Sequence, residues 1–315
     1  MSKFLKGLSI AAFVLVILVV AGISATIGWR PFIGPKSRPL TDRKFEATPE
    51  RLKRGAYLAE HVAGCTVCHT PHEDGPNGSE IVPSKKGSGQ VFPIAGLPGT
   101  LIAPNITPDP ETGIGKWTQA EIVVALRDGK RPDGSIIGPP MPIPVYRQLS
   151  DHDAEAIAAY LLSLKPVKNP LTRSQYTITL PPSYGSPITH VDEPVTTDKV
   201  AYGSYLVSLG HCVRCHPPPG DGKPFNMNLA FAGGREFPRE GDIAPSVSRN
   251  ITSDPDHGLG RWSDNDIKQA ITKAIRPDGT KLAGPMPYDW YANMSPDDLD
   301  AIVAFMRTIK PIKVQ

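Results

Sequence analysis

The sequence predicts an all-α protein: two tandem helical modules of one kind, each with a long loop, behind a single N-terminal transmembrane helix. Three observations predict it. An uncharged apolar run opens the chain, and the remainder repeats itself at a nearly fixed offset. Helix start signals recur at matching places in both copies, while strand signals are few.

The apolar run comes first. From Gly7 to Trp29 there are 23 residues without a charge, including the stretch from Phe13 to Val20. Crossing the hydrocarbon core takes about 20 apolar residues. A cleaved signal peptide has a shorter apolar region and a small-residue cleavage site. Here the run is longer, and the small residues near Gly22 and Ser24 make a poor site. Residues 1–30 therefore read as an uncleaved membrane anchor, with Trp29 at the far interface. Lys3 and Lys6 precede the run and Arg30, Lys36, Arg38, Arg43 and Lys44 follow it, so charge does not set the orientation. A net charge of +3 from scattered basic residues excludes a nucleic-acid footprint. With 315 residues the chain can build two cores, and 35 prolines and 29 glycines make it loop-rich.

The repeat defines the modules. Asn105-Ile106-Thr107 recurs as Asn250-Ile251-Thr252, Asp109-Pro110 as Asp254-Pro255, and Gly113, Gly115 and Trp117 as Gly258, Gly260 and Trp262. Arg131-Pro132-Asp133-Gly134 recurs as Arg276-Pro277-Asp278-Gly279, and Pro140-Met141-Pro142 as Pro285-Met286-Pro287. The expected organisation is anchor 1–30, leader 31–47, module one 48–166, a proline-rich extended connector 167–196 and module two 197–315. Thr48-Pro49 predicts a first helix, matched in module two by one from about Thr197 to Leu209. The capping box from Thr118 to Glu121 predicts a middle helix, with Ser263 to Asp266 as its counterpart. Last helices start at Ser150 and Ser295. Their apolar positions Ile157, Tyr160, Leu161 and Leu164, and Ile302, Phe305, Met306 and Ile309, follow helical spacing.

All four cysteines lie in two copies of one motif, Cys65-Thr66-Val67-Cys68-His69 and Cys212-Val213-Arg214-Cys215-His216. C-x-x-C-H is the pattern of covalent haem c attachment. Two thiols at this spacing reach the two vinyl groups on one porphyrin edge, and the adjacent histidine falls under the iron. Cys65, Cys68, Cys212 and Cys215 are thus the expected attachment points of two haems, with His69 and His216 as proximal ligands. Other readings of C-x-x-C are a zinc half-site, a thioredoxin-like redox pair, and a disulfide in an exported protein. A zinc site needs the two distant pairs to converge, and neither pair sits in a βαβ pattern.

The repeat also points to the sixth ligand. Met141 is the single methionine of module one, and its equivalent is Met286. Prolines bracket both, which keeps the loop extended. Thioether ligation opposite histidine is a cytochrome c arrangement that raises the reduction potential; the bland alternative is a core methionine filling a gap. His61, His72, His152, His211 and His257 have no repeat partners, nor do Met227, Met294 and Met306, and Met306 falls on the apolar face of the last helix. Trp117 and Trp262, Arg131 and Arg276, and Asn105 and Asn250 read either as haem neighbours, the arginines and asparagines toward a propionate, or as ordinary core and turn residues.

The C-x-x-C-H motifs, the Asn-Ile-Thr-x-Asp-Pro segment with its following Gly and Trp, and the Pro-Met-Pro loop resemble the multihaem cytochrome c subunits of membrane-bound alcohol and gluconate dehydrogenases, over residues 48–315. Those subunits commonly carry three haem modules and attach to the membrane at the C-terminus, whereas this chain carries two and an N-terminal anchor. The resemblance implies two tandem cytochrome c-like domains with haem-wrapping loops, in the periplasm of a bacterium and tethered to its inner membrane. It implies electron transfer within a respiratory chain, from a periplasmic dehydrogenase to a quinone, another cytochrome or a terminal oxidase, with no catalytic residue of the chain's own. The alternative is a dihaem enzyme. A peroxidase needs an iron that opens a coordination site, and a thiosulfate dehydrogenase uses a cysteine ligand, which this chain does not have to spare. A haem-based sensor would need a signalling domain, and none is visible.

Overall fold

The computed structural model describes residues 3–25, 44–75, 78–92, 98–220, 226–238, 244–282 and 284–313. Trp29 and leader residues 31–43 lie outside them. Helix α1 spans Lys3–Ala25. Among the described residues no helix is long and apolar enough to cross a membrane. The α1 side chains from Leu8 to Val20 are exposed.

Module one opens with α2 (Pro49–Tyr57), capped by Thr48, whose side chain accepts from the Arg51 N–H, with proline at the first helical position. It continues through a π-helical turn, Leu58–Val62, into the one-turn helix α3 (Cys65–Cys68). The middle helix α4 (Gln119–Asp128) carries the expected capping box between Thr118 and Glu121. A single turn, α5 (Ile143–Tyr146), follows the methionine loop, and α6 (Asp151–Ser163) closes the module behind its Ser150 cap. Module two repeats the series as α7 (Lys199–Leu209), α8 (Cys212–Cys215), α9 (Asp264–Lys273), α10 (Tyr288–Tyr291) and α11 (Pro296–Thr308). The start of α7 falls later than expected, because Asp198 and not Thr197 accepts the first free N–H, from Ala201. Leu164 and Ile309 sit at the C-caps of α6 and α11, not within them.

In each module the first helix crosses the last at very short range. A Cβ on Gly55 would lie 2.0 Å from the Ala156 carbonyl oxygen, and one on Gly203 would lie 1.9 Å from that of Ala301. Only glycine permits this approach, which lets Leu58 and Leu206 become fully buried beside Ile157 and Ile302. The π turn has a sequence cause. Module one has one more residue between this glycine and its first cysteine than module two has. A π turn absorbs a single insertion without breaking the helix.

Short antiparallel ladders, which periodicity did not predict, close the loops. Strands β1 (His72–Gly75) and β2 (Gly78–Ile81) form a hairpin. The two-residue strand β3 (Gln90–Val91) pairs with β5 (Ile102–Ala103), β4 (Gly99–Thr100) with β6 (Gln175–Tyr176), and β7 (Glu236–Phe237) with β8 (Ser246–Val247). Strand β6 belongs to the connector, which runs along module one: Tyr184 donates to the Ile137 carbonyl, and the Asn169 amide donates to Ser88 and Gly89.

The modules face each other about a pseudo-two-fold axis. The Tyr57 hydroxyl donates to Asp298 at 2.6 Å and accepts from the Ser295 N–H at 3.1 Å. Reciprocally, the Tyr205 hydroxyl donates to Asp153 at 2.7 Å and accepts from the Ser150 N–H at 3.3 Å. Each first helix thus contributes a tyrosine to the N-terminus of the other module's last helix. The same residue pairs appear on both sides, as in an isologous interface.

Candidate haem-binding sites

The cysteine motifs sit where the first helices end. In each, the chain turns through a left-handed residue, Gly64 (φ 62°) or His211 (φ 61°), and enters one helical turn that begins and ends on cysteine. Residues three apart on a helix are neighbours on one face, so both sulfurs of a motif point the same way. The four cysteines are free thiols. Burial, with the neighbouring thiol second, pushes Cys65 and Cys212 up to about 12. Cys68 and Cys215 are also raised by the protein packed around them. A thioredoxin-like pair needs the opposite shift. The two pairs do not converge on a common site, and among the described residues no cluster of three or more His, Cys, Asp or Glu side chains could hold a metal ion.

The motif histidines are oriented identically. His69 Nδ1 lies 2.7 Å from the Pro104 carbonyl oxygen, and His216 Nδ1 lies 2.7 Å from that of Arg249. Burial lowers both imidazoles, opposed by these carbonyl bonds. Each ring is held through Nδ1 in the tautomer that leaves the lone pair on Nε2, the orientation usual for a ligating histidine. The loop that supplies each carbonyl also holds the motif: the Gly89 N–H donates to the His69 carbonyl at 2.7 Å and the Gly233 N–H to that of His216 at 2.5 Å.

Met141 and Met286 are half-buried and pack against the hydrophobic core that runs through both modules. Each follows a cis proline bond, Pro139-Pro140 or Gly284-Pro285. Beyond each methionine a tyrosine ties the loop to the haem motif. The Tyr146 hydroxyl donates to the Ala63 carbonyl at 3.2 Å, and the Tyr291 hydroxyl donates to that of Gly210. Ala63 and Gly210 each lie two residues before the first cysteine of their motif. Burial and the adjacent thiols raise both phenols. These tyrosines were not singled out in the sequence, although their recurrence at the methionine offset was a usable signal.

Other repeated residues have structural partners. The Asn105 and Asn250 side chains accept from the Thr107 and Thr252 N–H groups and donate to the carbonyls of Val167 and Ile312, fastening each module's last segment. Arg131 and Arg276 bond within their own turns, to Ser135 and Ile136 and to Thr280. Trp117 and Trp262 pack against the core. Met227 is exposed, Met294 and Met306 are buried, and His152 and His257 pair with acidic neighbours at the surface. His211 lies between the modules, with Nε2 3.2 Å from both the Ala63 carbonyl oxygen and the Tyr146 hydroxyl. In the reverse direction, Trp290 packs where a Gly64 side chain would be, 2.3 Å from its ideal Cβ. The two cysteine motifs are therefore apposed at the module interface.

Comparison with known proteins gives the arrangement a family. The description "Cytochrome c" matches residues 52–165 and, separately, 200–310. The chain belongs to the cytochrome c family. Membership brings covalently bound haem c as the cofactor of the fold, and the paired free thiols with an oriented neighbouring imidazole fit that group. Among cytochrome c relatives, the chain is 34% identical over 293 residues to the cytochrome c subunit of the quinone alcohol dehydrogenase of Gluconacetobacter polyoxogenes, covering 85% of this chain and 58% of the relative. It is 30% identical over 295 residues to the fructose dehydrogenase cytochrome subunit of Gluconobacter japonicus, covering 89% and 57%. The diheme cytochrome c-type protein of Cereibacter sphaeroides is 28% identical over 267 residues, covering 80% and 84%. The chain thus spans little more than half the length of the dehydrogenase subunits it matches.

Proposed function

We propose that this chain is a dihaem c-type cytochrome that relays electrons between a dehydrogenase and a membrane acceptor, and that it catalyses no substrate reaction itself. The observation that carries the reading is the apposition of two complete attachment motifs across the module interface, with His211 beside Ala63 and Trp290 over Gly64. Cys65 and Cys68 hold one haem and Cys212 and Cys215 the other; His69 with Met141, and His216 with Met286, are the axial pairs. A bound haem supplies a one-electron Fe(III)/Fe(II) couple. The protein residues hold each imidazole by Nδ1, fasten each methionine loop through Tyr146 or Tyr291, and keep solvent from the facing edges of the two sites. Two protein ligands per iron leave no position for a substrate, which supports transfer over bond chemistry.

The named relatives support a dehydrogenase as donor. The acceptor is a quinone, a cytochrome or an oxidase. The exposed apolar side chains of α1 between Leu8 and Val20 support anchoring in the inner membrane with both haem modules in the periplasm.

Purified protein should carry two haems, low-spin in both oxidation states, and should reduce no peroxide at a significant rate. A single haem, or a high-spin iron with peroxide turnover, overturns the reading. Deleting residues 1–29 behind a cleavable export signal should release the cytochrome from membranes; its retention there would remove α1 as the anchor. Solubilised membranes should yield the chain together with a dehydrogenase subunit.

A further inference from the structure

A charged residue inside the second cysteine motif breaks the pseudo-two-fold symmetry. Arg214 Nη1 donates to the Pro140 carbonyl at 2.7 Å. Pro140 immediately precedes Met141, so a guanidinium from module two grips the methionine loop of module one. The equivalent of Arg214 in module one is Val67, which has no donor to offer the loop of Met286. The Arg214 carbonyl is itself held by the Arg235 guanidinium, so the backbone of the gripping turn is braced from behind. Arg214 also adjoins Cys215 of its own motif, so its charge stands beside module two as well, and only the grip on the loop is confined to module one.

We infer that Arg214 is a positioning residue for the Met141 loop and that its grip on that loop raises the reduction potential of the module-one haem, an effect the module-two haem does not receive. This rests on the axial assignment proposed above. Two physical effects act in the same direction. A loop anchored at Pro140 holds the weak thioether donor in place, and thioether ligation favours Fe(II). A permanent positive charge, which a guanidinium keeps at any working pH, stabilises the reduced, less positive iron, and more so where protein replaces water, but it stands beside both modules. Across the pseudo-axis Val67 gives the Met286 loop no grip.

The test is a spectroelectrochemical titration of the full-length, haem-loaded protein. It is run in a Met286→His background, where loss of the thioether lowers the module-two potential and resolves the two haems. Arg214→Gln should lower the module-one midpoint by about tenfold in electron affinity, near 59 mV for one electron, and weaken the methionine-to-Fe(III) charge-transfer absorption of that haem. Arg214→Lys should retain most of the midpoint and Arg214→Val should lose it as Gln does, with haem content unchanged in all three because Val67 occupies this motif position in module one. An unmoved midpoint in Arg214→Gln, or equal shifts in both haems, overturns the inference. If the wild-type protein itself lacks methionine charge-transfer absorption, the axial assignment fails instead.

Discussion

Each iron's proposed ligand set makes a separable prediction. Cys65→Ser with Cys68→Ser should remove one haem and leave the second spectrally normal, measured by haem content per chain. Met141→Ala should lower one midpoint on the order of 0.2 V, within the roughly 0.8 V that axial ligands span, and leave the other in place. His211 predicts a pH effect. Enclosure between the modules, with the Arg214 charge second, lowers its imidazole to about 4, while the unfolded chain binds that proton near the ordinary 6.5. Between those values the unfolded state holds more protons, so stability is full above about pH 6.5 and falls as the pH drops toward 4. His211→Asn, which tolerates the left-handed backbone, should flatten that slope in thermal melts recorded across the window.

At the level of elements, the crossing of first and last helices is the least forgiving feature. Gly55→Ala or Gly203→Ala places a methyl group about 2 Å from a backbone carbonyl of the partner helix, and a backbone cannot step aside as a side chain can. A loss of about 2 kcal/mol or more is expected for either, the upper part of the range for overpacking, measured by denaturant unfolding. The helices themselves were legible because their signals are local. Thr48, Thr118, Ser150, Ser263 and Ser295 all cap as their neighbours predicted. The π turn and the two-residue ladders were not legible. The first depends on aligning the two modules residue by residue, and the second on loop ends that meet only after the helices have packed.

On the scale of the whole molecule, the reciprocal tyrosines hold the two cytochrome modules in one orientation. Tyr57→Phe with Tyr205→Phe strips Asp298 and Asp153 of a buried partner, at about 1–3 kcal/mol for each. The double variant should expose the α2–α3 and α7–α8 junctions to limited proteolysis and slow electron exchange between the haems, while each haem keeps its own spectrum. Unchanged proteolysis and exchange would show that Trp290 and His211 suffice to dock the modules.

By itself the sequence determined the repeat, the two haem motifs, the paired methionines and the helix caps. Each of these is written in residues close together or in the comparison of one copy with the other. Only the tertiary structure decided which carbonyls orient His69 and His216, that Asn105 and Asn250 fasten each module's last segment, and that Arg214 reaches the loop of Met141. The physical reason is separation along the chain. The contacts that join the modules link residues as far apart as Tyr57 and Asp298, 241 positions. Two copies of one module carry no internal mark of which faces will meet; packing makes that choice, and with it sets one haem site against the other.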